Sequence, residues 1–310
     1  MRFSFMVIAS CCLWLSIGAP SAAQQDKRVA FQKAFDDATQ AVGDPSQFEA
    51  RTTALLDFFP RTADGYYIVD GDLAMTDLEI KQMIRERHAA SGGQQPWPQS
   101  ARQGELIVMT DGGVPTCYRT AADRQLTYAI DKNSFAAAPE ADAYNVIMGE
   151  LASAMTEWQE ACPECGIKFV RLDLPAPAEG DANFIVKYVG EQGSLIAQAF
   201  FPKDLVSKRY VYVTKAYYTS GYDRVGVLRH ELGHTLGYRH EHIRPEAPLR
   251  CFFDTEDKKW TRIDDGDYDP KSVMHYPCTL GGTLAAGSYR FALSKVDKAS
   301  HKKFYTETCR

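Results

Sequence analysis

The sequence predicts an α+β fold: a small helical N-terminal region, then a larger domain of strands, a long helix, more strands and a second helix. Three observations carry this. Residues 24 to about 60 and 144–160 repeat their apolar side chains at helical spacing. Short apolar, β-branched and aromatic runs lie between Leu126 and Val213 and read as strands. Then comes His230-Glu231-Leu232-Gly233-His234-Thr235-Leu236-Gly237-Tyr238-Arg239-His240. Two histidines four apart on a helix share one face, because 3.6 residues make a turn.

In chain order, Phe31, Ala34, Phe35 and Ala38 mark the first helical face. Tyr66–Leu73 is a short β-like run that breaks at Asp70-Gly71-Asp72. Thr76 followed by Glu79 is a capping-box pattern opening another helix. Gly92-Gly93 and Gln94-Gln95-Pro96-Trp97-Pro98 read as a linker, which places a boundary near residue 100. Leu126–Ile130 alternates as a half-buried strand. Ile147, Leu151, Ala154 and Trp158 line one face of the 144–160 helix. Further strands are expected at Ile167–Leu172, Phe184–Val189, Ala197–Phe201 and Tyr210–Val213. Asp223 is expected to cap a helix from Arg224 to Gly237. Asp264-Asp265-Gly266-Asp267 reads as a solvated acidic turn rather than a calcium loop, whose spacing it lacks. Leu293-Ser294 and Asp297 open a last helix running towards Tyr305.

The histidine stretch carries the chemistry. His230 and His234 point the same way and suit one metal ion. Gly237 enters φ > 0 without a Cβ clash, so the chain turns there and brings His240 back as a third ligand. Three neutral imidazoles with an open fourth position describe a catalytic zinc site. Glu231, beside the first ligand, is placed to act as general base on an activated water. His242 is expected outside the ligand set, His275 pointing away from its neighbour Tyr276, and His88 and His301 facing solvent.

The 310 residues carry a formal charge of −5 and no long basic run, which points away from nucleic acid. Arg2, the apolar run Phe3–Ile17 and Ser21-Ala22-Ala23 describe a signal peptide ending at residue 23. That run is too short and wrongly flanked for a stable membrane span. Ile8-Ala9-Ser10-Cys11 also resembles a lipoprotein box, but it lies very early, so export without an anchor is favoured. The location is then secreted or periplasmic. Cys11 and Cys12 leave with the leader, and six cysteines remain: Cys117, Cys162, Cys165, Cys251, Cys278 and Cys309. An even number in an exported chain implies disulfides, and six cysteines allow fifteen pairings. Cys162 and Cys165 have no second CxxC partner, which favours a local bridge over metal.

The His230–His240 stretch, together with Ser272-Val273-Met274-His275-Tyr276, resembles the metzincin zinc endopeptidases, and within them the astacin family. Met274 matches the methionine turn beneath the metal, and Tyr276 the tyrosine two residues on. Glu241 and Arg244 also match, whereas Pro245-Glu246-Ala247-Pro248 departs from the family's ending. The likeness spans roughly residues 105–310. It implies a metzincin-like catalytic domain over 101–310, with a twisted mixed sheet, an active-site helix and a methionine turn. Residues 24–100 would be a pro-like region. It further implies one catalytic zinc ion held by His230, His234, His240 and Tyr276, with Tyr276 also stabilising the oxyanion. A protein or peptide substrate would lie extended along an edge strand at Ala197–Phe201. Val69-Asp70-Gly71-Asp72 resembles the pro-segment switch, which makes Asp72 the candidate zinc plug. By the same likeness Cys117 pairs with Cys309, Cys162 with Cys165 and Cys251 with Cys278. The rival expectation is a non-catalytic zinc-binding or adhesion protein on the same scaffold; intact Glu231 and ligands disfavour it.

Overall fold

The structure is a computed structural model. It describes residues 22–59, 61, 65, 67–69, 73–91, 106–111, 113–193, 195–241, 244, 261–262, 268–275 and 290–310. Asp72, His242, Cys251, the acidic turn at 264–267, Tyr276 and Cys278 lie outside the described residues, as do residues 1–21. Among the described residues no helix is long and apolar enough to cross a membrane.

The N-terminal region contains α1 (Ala22–Gln40), α2 (Pro45–Leu56), the antiparallel pair β1 (Tyr67–Val69) and β2 (Leu73–Met75), and α3 (Asp77–Ser91). The single helical stretch expected over 24–60 is therefore two helices. Pro45 explains the break: it lacks an N–H and drives the preceding residue extended, and Asp44 sits at φ −118°, ψ 104°. Asp44 then caps α2 by accepting from the Ser46 and Gln47 N–H groups. Phe31, Phe35, Ala38, Phe48, Leu55, Ile80 and Ile84 close a small core between the three helices. Thr76 precedes α3, as its pattern predicts; the Glu79 half of the capping box lies on a side chain outside the described set.

The second region is a mixed α/β assembly. It contains β3 (Val108–Asp111), β4 (Val114–Pro115), β5 (Gln125–Ile130), α4 (Lys132–Phe135), α5 (Ala143–Ala161), β6 (Lys168–Arg171) and β7 (Phe184–Tyr188). They are followed by β8 (Ala197–Gln198), β9 (Tyr210–Val213), α6 (Lys215–Thr219), α7 (Arg224–Thr235), β10 (Thr261–Arg262) and α8 (Lys295–Lys303). The main sheet runs β6-β5-β7-β9-β8. Its first four strands are parallel neighbours and β8 joins β9 antiparallel at one edge. A separate three-stranded sheet has the order β10-β3-β4.

β8 is shorter than the expected Ala197–Phe201. The Phe201 N–H turns to the Asp204 carboxylate, and Pro202 has no N–H to continue a ladder. Phe200 instead packs on Phe184, and Phe201 edge-on against His234, with ring centroids 5.2 Å apart. α5 buries Ile147, Leu151, Ala154 and Trp158, the face its spacing predicts, and packs against α7. Ile147 and Leu151, fully buried, are each worth about 1.5–3 kcal/mol.

α7 starts after Asp223, but that side chain makes no capping hydrogen bond; it lies 3.8 Å from Arg229 instead. The helix ends at Thr235, and Gly237 follows at φ +100°. A Cβ there would meet the Thr116 carbonyl oxygen at 2.7 Å, so both conformation and space demand glycine. Two cysteine pairs stand at disulfide distance, Cys117–Cys309 at 2.00 Å and Cys162–Cys165 at 2.04 Å. The first joins the start of this region to the chain's end across 192 residues.

Candidate metal centre

His230 and His234 project from one face of α7, and the Gly237 turn returns His240 beside them. All three are buried. His240 Nε2 stands 3.2 Å from His234 Nε2 and 3.2 Å from His230 Nε2. The opposite nitrogens of the helix-borne pair face carbonyls: His230 Nδ1 is 2.7 Å from Val273 O, and His234 Nδ1 is 2.8 Å from Tyr238 O. A carbonyl oxygen only accepts, so each Nδ1 carries the proton. In a neutral ring the lone pair is then on Nε2. Two such lone pairs converge on His240 Nε2, which has at most one proton to give. A bound cation removes that conflict, so the three histidines form a group that could hold a metal ion.

The floor beneath them is fitted closely. A Cβ on Gly233 would meet Met274 Sδ at 2.2 Å and the Trp158 indole at 3.4 Å. Met274 is fully buried there, and its soft side chain fills the space that Gly233 leaves. Trp158 Nε1 donates to Arg229 O at 2.9 Å and ties α5 to α7. The Phe291 ring meets His230 edge-on at 5.5 Å, with its backbone held at φ +43°, where few side chains sit. Arg229 donates to the Phe291 carbonyl and to Arg290 O, fixing that conformation from α7.

Beyond His240, Glu241 is also buried. Its N–H donates to Met274 O at 2.9 Å, and its Oε1 accepts from Arg244 Nε at 2.6 Å and Asp269 N at 2.9 Å. Burial raises the Glu241 carboxyl, and the Arg244 guanidinium pulls it the other way. The histidine stretch and the methionine segment are thus sewn together through one residue.

Glu231 lies buried on α7 next to the first histidine. His275 is buried with Nε2 against Tyr268 OH, and His88 is exposed. The expectation that His301 faces solvent is wrong. It is fully buried on α8, with Nδ1 2.7 Å from Tyr238 OH and its ring edge-on to Trp158 at 5.0 Å. Burial pushes its pKa down to about 3, so it is neutral. Asp297 is a second residue whose importance the sequence hid. It accepts from Ser272 Oγ at 2.7 Å, Val273 N at 2.8 Å and Ser294 N at 2.8 Å. Burial raises its pKa to about 6 against the lowering by those bonds. The pattern Ser294-x-x-Asp297 was the visible signal, since it forms the capping box of α8.

The chain matches no protein-family model and no curated protein.

Proposed function

We propose that the chain is an exported zinc-dependent endopeptidase of the astacin-like metzincin kind. The observation that carries this reading is the convergence of three histidine Nε2 atoms with Glu231 on the same helix and Met274 beneath it. Ligands about 2.0–2.1 Å from a tetrahedral zinc ion stand about 3.3 Å apart. The 3.2 Å spacings from His240 fit that set, and imidazole nitrogens suit zinc.

When bound, zinc supplies Lewis acidity and lowers the pKa of a water from about 15.7 to about 7. Glu231 then acts as general base, taking the proton, and as general acid, returning it to the leaving nitrogen. The carbonyls of Val273 and Tyr238 keep His230 and His234 oriented throughout. Tyr276 is the residue assigned to a further ligand position and to the oxyanion, where a donor is worth about 3 kcal/mol. Extended substrate would add a strand to β8, the antiparallel edge of the sheet. Residues 24–100 act as a pro-region, with Asp72 as the plug, and the leader directs the chain out of the cytoplasm into an oxidising compartment that keeps the two cysteine pairs bridged.

Cleavage of casein by the mature chain, with and without a chelator, tests this. Activity is expected to vanish with chelator and to return with zinc. Glu231→Ala is expected to keep its metal and lose about 10³-fold or more in turnover. Full activity in that variant would remove the mechanism.

A further inference from the structure

The last helix, α8, contributes no metal ligand among its described residues, yet two of its buried side chains reach the two residues whose carbonyls face the ligands. Asp297 and His301 are four apart and so lie on one face. Asp297 takes the Val273 N–H directly. It also accepts from Ser272 Oγ, which in turn accepts from the Met274 N–H at 3.1 Å. The Met274 N–H belongs to the same rigid peptide plane as the Val273 carbonyl. Asp297 therefore fixes the plane whose oxygen receives His230 Nδ1.

The second arm has the same logic. His301 Nδ1 bonds Tyr238 OH, and Trp158 stacks on the Tyr238 ring at 5.5 Å and 22°. The Tyr238 backbone is pinned as well, its N–H donating to Gly233 O at 2.9 Å. The carbonyl of that residue receives His234 Nδ1. A helix built for packing alone would place apolar side chains here, because buried carboxylates and imidazoles cost desolvation.

We propose that α8 is the positioning element of the metal centre: Asp297 orients His230 through Val273, and His301 orients His234 through Tyr238. The inference rests on the metal-centre reading above, and the test separates the two.

The full chain is titrated with zinc and with cobalt(II), whose visible bands report ligand geometry, and folding is followed by circular dichroism. Asp297→Asn keeps the shape but offers Ser272 a donor where it needs an acceptor. It is expected to stay folded, weaken zinc about tenfold, the low end for lost outer-shell partners, and shift the cobalt bands. Tyr238→Phe removes only the hydroxyl, one bond further from the ligand, and should weaken zinc in the same direction by less than Asp297→Asn does. It decides the matter if Asp297→Asn does not fold. Lys298→Ala, exposed on the same helix, should match wild type. Wild-type affinity and bands in both folded variants would overturn the inference and leave the metal centre standing. A wild-type chain that binds neither ion would overturn both.

Discussion

The two regions bury very different things. Between α1, α2 and α3 the core is almost wholly apolar, with Thr52 the buried polar residue of the described set there. In the second region His230, Glu231, His234, His240, Glu241, Arg244, Ser272, Asp297 and His301 are all buried, and they gather around one place. Burying polar groups is costly unless each is bonded. The first region needs only volume and periodicity to fold. The second accepts a cost to hold imidazoles in one arrangement, which is what a site requires and a scaffold does not.

This contrast can be broken at several points. The largest stability effect is expected from Cys117→Ser with Cys309→Ser. Opening a loop of 192 residues removes a constraint worth about 5 kcal/mol by chain entropy, read as a lower denaturation midpoint of the second region. Next, Leu55→Ala empties the centre of the N-terminal core at a cost of about 2–5 kcal/mol. Chemical denaturation should show that loss while zinc affinity stays at the wild-type value; a parallel loss of affinity would erase the distinction between the regions. A smaller effect follows from Asp297. Its folded pKa is raised to about 6 from 3.8, so the folded state binds the proton more tightly. Stability from this group is then greatest below 3.8, falls as pH rises through the window up to about 6, and is level above it. Two units correspond to about 3 kcal/mol. Asp297→Asn should flatten that stretch of the stability–pH curve in the metal-free chain; an unchanged slope would show that the carboxyl is not buried as described.

How far the sequence foretold this depends on which force shaped each element. The α5 face was legible because Ile147, Leu151, Ala154 and Trp158 obey one period. The convergence of His230, His234 and His240 into a group that could hold a metal ion was legible because chemistry imposes such spacing, and Gly237 because only glycine fits its turn. The Asp44-Pro45 break was written in the residues, but a periodic pattern on both sides concealed it. β8 is shorter than its β-like run because the chain leaves the ladder after Gln198 and enters a turn in which the Phe201 N–H bonds the Asp204 carboxylate. β4 and β10 pair over two residues each, and β10 depends on a distant partner, so no local pattern announces them, whereas β3 starts in the buried apolar run Leu106–Met109 and had a visible signal. His301 was misplaced because polarity was read as exposure. Its partner Tyr238 lies 63 residues away, and nothing local reveals that a polar side chain has such a partner.

The claim on which the rest depends is that His230, His234 and His240 form one metal centre. Zinc stoichiometry and affinity of the full chain, beside a His240→Ala variant, test it most directly. One tightly bound ion per wild-type chain and a loss of at least about tenfold in the variant are expected, since a direct ligand should cost no less than an outer-shell partner. No bound zinc in the wild type, or undiminished affinity without His240, would contradict it.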